Sequence, residues 1–277
     1  MKMKSKKKKI EVAAVSSAHQ QYIQKIKKQR HLVRLIQWLI CICFFLLWEV
    51  AAHKKWIDPF IFSSPSRVFY TMITMIQNQT LFLHIGVTLW ETIVGFLLGT
   101  LLGTGIAILL WASSFLSKVM EPYLVILNSL PKTALAPILI VWIGNNMTSI
   151  IVTGLSISII VTILTVLNGF LEVEEEKIKL IQTFGGTKKH MFTKVVLPAS
   201  IPTIINALKV NVGLCLVGVI IGEFLVSKSG LGYLIVYGSQ IFKLDWVMMS
   251  ILILGIVAAL LYQSIVWLEK KFFKWRE

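Results

Sequence analysis

Among the side chains that can hydrogen-bond or carry charge inside long apolar runs are Asn128, Lys132, Asn168, Asn206, Lys209, Asn211, Glu223 and Gln263. Polar groups in such surroundings are costly to keep, so by default they face an interior path or one another. The chemistry they offer is binding, since amides and ammonium groups can hold a polar solute or draw an anion, and a lone carboxyl can pair with either. Bond cleavage is out of reach, because the same runs hold no Asp, no paired His, no His-Glu-x-x-His and no cysteine spacing that suits a metal. Lys132 and Lys209 are the charges that could pull an anion along a path. Two alternatives stay open on the residues alone: Lys209 can snorkel to the inner boundary, and Lys132 can pair with a carboxylate such as Glu223. Glu223 and Asn211, three turns apart, share one face that suits either helix pairing or a gate.

Asn128 and Lys132 flank Pro131, and Pro137 follows in the run NSLPKTALAPILIVWIG (128–144). Two prolines remove two backbone donors, so a kinked or loosened helix with exposed carbonyls is expected. Backbone of that kind is tolerated at membrane depth where it is buried in protein or lines a cavity. Asn128, Pro131, Lys132 and Pro137, with Lys209, Asn211 and Glu223, are therefore the candidate wall of a translocation path.

The elements that position these groups must be membrane-spanning helices. With 56% hydrophobic and 15% charged residues and a mean hydropathy of +0.77, the chain has too little polar surface for a water-soluble globule of 277 residues. Six runs are long enough to cross a hydrocarbon core of ~30 Å as helices, at residues 35–52, 85–111, 123–143, 147–170, 204–226 and 246–268. The third is the least regular, and without it the two chain ends would lie on opposite sides. The expected organisation is a basic cytoplasmic arm (1–34), a transmembrane domain (35–268) and a cytoplasmic tail (269–277). With the start of the chain inside, 21 of the 28 Lys and Arg fall on the cytoplasmic side and five outside, as the positive-inside rule requires. The net charge of +15 then needs no nucleic acid, since lysines such as Lys6 and Lys9 beside an anionic leaflet account for it. A cleavable signal peptide is not expected, because the charged start is too long and the first apolar run exceeds the usual ~7–15 residues.

Between the fourth and fifth runs lies a polar interruption, LIQTFGGTKKHMFTKVVLPASIP (180–202). Gly185 and Gly186 lack a Cβ and break a helix, so two short helices meeting at a turn are expected, with Pro198 in the first turn of the next helix. Gly185 stands thirteen residues before Pro198, with Val195 and Leu197 leading into the proline. That arrangement resembles the EAA loop of ABC-importer permeases: Glu-Ala-Ala, three residues, Gly, nine residues, Ile, any residue, Leu-Pro. Lys179, Leu180 and Ile181 stand here in place of Glu-Ala-Ala, so the glycine-to-proline half carries the match. With FSSPSRVF (62–69), the broken third run and EFLVSKSGLGYLI (223–235), the resemblance extends over roughly residues 62–268. It is to the nitrate, sulfonate and taurine branch of these permeases, which includes carriers of thiamine-precursor pyrimidines.

The resemblance implies an all-α, six-helix permease bundle of the type I ABC importer kind, multi-pass in the plasma membrane of a bacterium, with both termini cytoplasmic. It implies a homodimer, two copies of a cytoplasmic ATP-binding subunit, an extracytoplasmic solute-binding protein, and contact with membrane lipid. Lys179, Leu180, Gly185, Gly186, Val195, Leu197 and Pro198 would form the ATPase-coupling loop, within residues 171–200. ATP and Mg would sit on the partner ATPase and no cofactor on this chain, which has no G-x-x-x-x-G-K-[ST] phosphate cradle. The solute would be small, of the sulfonate, taurine, nitrate or thiamine-precursor type, and Lys132 favours an anion. The rival reading, a carrier driven by an ion gradient, would more often show a pair of interrupted runs in corresponding halves, and one clear interruption is present.

Gly95, Gly99 and Gly103 line one face of the second run with hydrogen atoms, which lets another helix approach closely. Glu91, just before that face, is expected to snorkel or pair, and His84 to lie at a boundary. Residues 53–83 predict a short amphipathic helix beginning near Pro65, capped by Ser64 or Ser66. Lying flat at the outer interface, that helix is expected either to help dock a binding protein or only to fill a gap at the membrane surface, and the segment 227–245 suits a gate surface facing that partner.

Overall fold

The computed structural model describes residues 17–272. The first part of the expected basic arm, including Lys6 and Lys9, and the last five residues lie outside the described residues. All regular structure among the described residues is helical, in two compact units, Met1–Ser66 and Arg67–Glu277.

In the first unit, α1 (Ser17–His53) runs unbroken from the arm through the first apolar run. Trp38, Ile40, Phe44 and Leu47 are exposed along it, as suits a helix facing hydrocarbon. A single turn, α2 (Pro59–Phe62), follows, its first free N–H accepted by Asp58 (Phe60 N to Oδ1, 2.8 Å). The next helix, α3 (Pro65–Gln77), begins as expected at Pro65. Its N-terminus is held by Glu49, whose carboxylate accepts from the Ser66 N–H (3.0 Å) and hydroxyl (2.8 Å). A carboxylate suits the positive end of a helix. Ser64 lies 3.0 Å from Ser66, hydroxyl to hydroxyl.

The second unit is built on three long helices, α4 (Thr80–Ala112), α7 (Met147–Leu171) and α10 (Leu197–Val226), with α7 between the other two. At 33 residues α4 is about 50 Å long, ample for a membrane. Its glycine face lies against the bundle: a Cβ on Gly99 would stand 2.7 Å from Ser158 Oγ, one on Gly103 2.7 Å from Thr162 Cβ, and one on Gly95 2.9 Å from Cys215 Sγ. On the other side of α7, a Cβ on Gly218 would stand 2.7 Å from the Cα of Gly154. Backbones therefore touch where side chains would otherwise hold helices apart. Two seam hydroxyls of α7 bond within their own helix, Thr153 donating to Ser149 O (2.8 Å) and Thr162 to Ser158 O (2.9 Å), whereas Thr92 and Thr100 of α4 keep buried hydroxyls with no partner among the described residues.

Between α4 and α7 the chain forms α5 (Ser114–Ser129) and α6 (Lys132–Ile143), bent by 96° at Leu130 and Pro131. The residue before a proline is driven out of the α region, and Leu130 is extended (φ −63°, ψ 138°). Among the described residues five helices are long and apolar enough to cross a membrane singly, and the bent pair makes the sixth if its limbs form one span. The irregular third run is thus a broken helix, not a continuous one over 123–143.

After α7 come α8 (Glu175–Thr183) and one short turn, α9 (Lys188–Met191), which passes through a widened π turn (Phe192–Val196) into α10. The bundle is completed by α11 (Leu231–Gln240) and α12 (Leu244–Phe272), which pack on each other and on α10. Arg67 of α3 pairs with Asp245 in the first turn of α12 at 2.9 Å.

If the close approach of α4 to α7 holds the bundle, Gly99→Val must push it open. Overpacking of this kind costs about 1–3 kcal/mol, so the purified variant is expected to melt several degrees lower in detergent. Gly105→Ala, on the same helix but with open space around it, should melt with the native protein.

Candidate functional site

The interruption after α7 forms a compact foot. Gly185 has φ +73°, and its N–H donates to Gln182 O (2.9 Å) while that of Gly186 donates to Ile181 O (2.9 Å). These paired bonds with a left-handed glycine close the end of α8, which is why the chain turns here. Gly186 is required by crowding, since a Cβ there would lie 2.7 Å from Ile181 O. Thr187 then starts α9, and its N–H donates to His190 Nδ1 (3.2 Å). The turn between two short helices was legible in the sequence.

Pro198 occupies the first turn of α10, yet the helix does not begin there, because α9, the π turn and α10 form one rod over Lys188–Val226. Leu197 N–H reaches five residues back to Phe192 O, so the ladder is already shifted where Pro198 brings no donor. The foot is fastened by Phe192, whose ring lies 5.0 Å from that of Trp111 on α4 and 5.4 Å, edge-on, from Phe170 on α7. Val196 is fully buried beneath it. Ser200 Oγ donates to Gly169 O (2.8 Å), and Lys188 Nζ reaches Ala112 O at the end of α4 (3.4 Å). Lys179 pairs with Glu175 (2.9 Å), and this lysine holds the Glu175 carboxyl below its ordinary range. On the outer surface of the foot Phe184 is 81% exposed and Leu180 57%.

The candidate path residues fall into four places. Asn128, Pro131, Lys132 and Pro137 lie along the bent pair on its open side, with Lys132 Nζ donating to Asn128 Oδ1 (3.2 Å). Lys132 therefore does not pair with Glu223. Lys209 is 17% exposed and forms an ion pair with Glu269, near the end of α12, at 2.7 Å, so its charge is cancelled by a carboxylate at the boundary of the expected cytoplasmic tail. Asn211 is buried between α10 and α7, its amide donating to Thr162 Oγ1 (2.5 Å). The geometry does not bring Lys132, Lys209, Asn211 and Glu223 together. Asn168, Asn206 and Gln263 stand exposed on the bundle surface.

Glu223 belongs to a fourth arrangement, at the opposite end of the rod from the foot. Its Oε1 accepts from Thr88 Oγ1 (2.6 Å) and its Oε2 from the Gly232 N–H (2.5 Å). Thr88 Oγ1 accepts from Leu231 N (2.8 Å), and His84 Nδ1 accepts from Gly230 N (3.0 Å). Three consecutive N–H groups at the start of α11 are thus held by side chains of α4 and α10, satisfying donors a helix start leaves free. Gly230, at φ +120°, lets the chain press against the Glu223 carboxyl. Glu91 lies beside Glu223 with its Oε2 unpartnered among the described residues.

These geometries sit on a chain that matches, over residues 95–275, the binding-protein-dependent transport system inner membrane component family. The chain belongs to that family. A probable ABC transporter permease protein of Haemophilus influenzae is 32% identical over 241 residues, covering 87% of this chain and 98% of that one. The putative aliphatic sulfonates transport permease SsuC of Bacillus subtilis is 28% identical over 231 residues, covering 83% of each. Permeases named for taurine and formylaminopyrimidine transport are further relatives, as the sulfonate and taurine branch requires. Among solved structures, a chain of the MetNI methionine ABC transporter superposes with a TM-score of 0.62 at 20% identity, over 70% of this chain and 96% of that one, which shows a shared fold. This permease is thus a multi-pass transport component of an ABC importer, not an enzyme.

Sequence reasoning missed the clasp on α11 in this permease. Glu223 stood among the path candidates and His84 at a boundary, but His84, Thr88 and Glu91 recur at the i, i+4, i+7 spacing of one helix face, which was a readable signal. It also missed Phe192, whose role depends on two rings distant in sequence. Phe192→Ala should therefore loosen the foot by about 3–5 kcal/mol of lost packing, read as faster amide exchange over residues 175–196. Phe184→Ala, which removes an exposed ring, should leave that exchange unchanged.

Proposed function

We propose that this permease carries a small anionic solute of the sulfonate, taurine, nitrate or thiamine-precursor type into the cell, delivered by an extracytoplasmic binding protein and driven by a separate ATPase. Two copies of the permease would enclose the path, and two ATPase subunits holding ATP and Mg would dock one on each foot. Both chain ends would then be cytoplasmic, with the bent pair counted as one span, as the distribution of Lys and Arg favours.

The observation that carries this reading is the foot itself. Lys179, Leu180, Gly185 and Gly186 lie on an exposed turn, while Val195, Leu197 and Pro198 lie where it enters a rod running to Val226. A push on Phe184 and Leu180 would be passed into that rod, because Phe192 and Val196 leave the foot little freedom to move by itself. ATP-driven closure of a docked dimer could in this way alternate access between the two sides. The open side of the bent pair, with Lys132 on it, would be closed by the second copy and would line the path. The anionic class is supported by Lys132, which is held by an amide, whereas Lys209 is neutralised by Glu269.

Tagged permease purified in mild detergent from its native membranes should bring down an ATPase with a phosphate-cradle motif. Gly185→Trp, which forces a bulky residue to φ +73°, and Phe184→Asp should both lose it while remaining monodisperse. Recovery of no ATPase with the native chain would overturn the proposal. For the path, uptake of an anionic solute by Lys132→Gln should fall about tenfold, with Lys132→Arg retaining most of it. Uptake at the native rate by Lys132→Gln would remove Lys132 from the path.

A further inference from the structure

At the ends of α3, α4, α11 and α12 lies a cavity of about 540 Å³ that neither the foot nor the path uses. Four rings follow one another along it. His84 stacks on Tyr233 (5.9 Å), Tyr233 on Tyr237 (5.4 Å), and Tyr237 meets Trp246 (6.2 Å). Lys243 places its ammonium 4.6 Å above the Trp246 ring, and Thr71 and Thr74 of α3, with Asn78 just beyond it, line the same cavity.

The donors are oriented by the clasp on α11. His84 Nδ1 accepts from the Gly230 N–H, so the neutral ring carries its proton on Nε2 and offers a donor. Lys243 contributes a charge, and no carboxylate lines the cavity. An aromatic cage without a charge would take a cation on its ring faces. Here a lysine already covers the Trp246 face, and a second cation would meet repulsion, the neighbouring Asp245 carboxylate being paired with Arg67. A donor-rich, positively charged pocket floored by flat rings instead suits an anion whose body is apolar.

We infer that this cavity is a binding site for an oxyanion group carried on an apolar body, either a free organic sulfonate or the phosphate of a phospholipid. The oxyanion lies at Lys243 and the His84 Nε2–H, and the body lies along Tyr233 and Tyr237. The site is separate from the Lys132 wall, and its occupation does not depend on which solute the importer carries.

The test uses the full-length permease purified with extensive delipidation. In one arm, binding of 1-butanesulfonate is measured by calorimetry, with butyltrimethylammonium as the cationic control. In the other, retention of phosphatidylglycerol is measured by native mass spectrometry. One equivalent of either anionic probe is expected, weakened about tenfold or more in Lys243→Gln and in Tyr237→Leu, the scale of losing a charged donor or a stacking face. Binding in the first arm identifies a free solute and in the second a lipid headgroup. Neither probe binding, equal binding by the variants, or preference for the ammonium control would each overturn the assignment. Melting curves of both variants matching the native protein show that any loss is local, and Lys243→Arg should restore binding.

Discussion

In hydrocarbon there is no water for helices to escape by associating, so their union rests on how closely their backbones can approach. The rest of this structure depends on α7 being gripped from both sides at that limit. Gly95, Gly99 and Gly103 admit it on the α4 side, and Gly154 with Gly218 on the α10 side. Ser158, Thr162 and Thr153 supply small side chains whose hydroxyls bond back to their own helix, so on the α7 side the seam carries little polar cost. Neither functional end could be fixed without this core. The ring of Phe192 needs Trp111 and Phe170 to stand on neighbouring helices a fixed distance apart, and the clasp needs His84 and Thr88 to meet the turn that follows α10.

Foot and clasp are the two ends of one rod. Residues 188–226 contain Pro198 and Pro202, either of which would be expected to break a helix. The π turn immediately before Pro198 absorbs the first defect by shifting the hydrogen-bond ladder one residue, and it keeps Val196 and Phe192 turned inward. A looser joint at the same place would isolate the foot from the span. With a π turn the chain changes register yet remains stiff, so α9 of the foot and Glu223 share one mechanical element.

How much of this was legible follows from the range of each interaction. The glycine turn of the foot depends on neighbours within six residues, from Ile181 to Gly186, and could be read directly. The broken helix at Pro131 is equally local, because a proline dictates the conformation of the residue before it. The Lys209 to Glu269 pair joins residues sixty positions apart, and the Thr88 to Glu223 bond joins residues 135 apart. No periodicity along one helix indicates which distant helix will answer it. The apolar runs were legible as lengths of chain, but the partner of each face was not.

The distribution of charge shows why that distinction bears on function. Two lysines interrupt the apolar runs, and composition alone makes them equivalent. A charge on the inside of a bundle needs a counter-charge or a wet surface, since desolvation costs more than an amide contact returns. Lys209, enclosed between α10 and α12, has Glu269 at 2.7 Å. Lys132 stands on the open side of a helix pair bent by 96°, with Asn128 as its hydrogen-bond partner. An amide oxygen orients an ammonium group but leaves its net charge in place. The positive field therefore remains at the break and is cancelled at Lys209, so the kink that spoils an otherwise regular span is also where a charge is kept uncancelled.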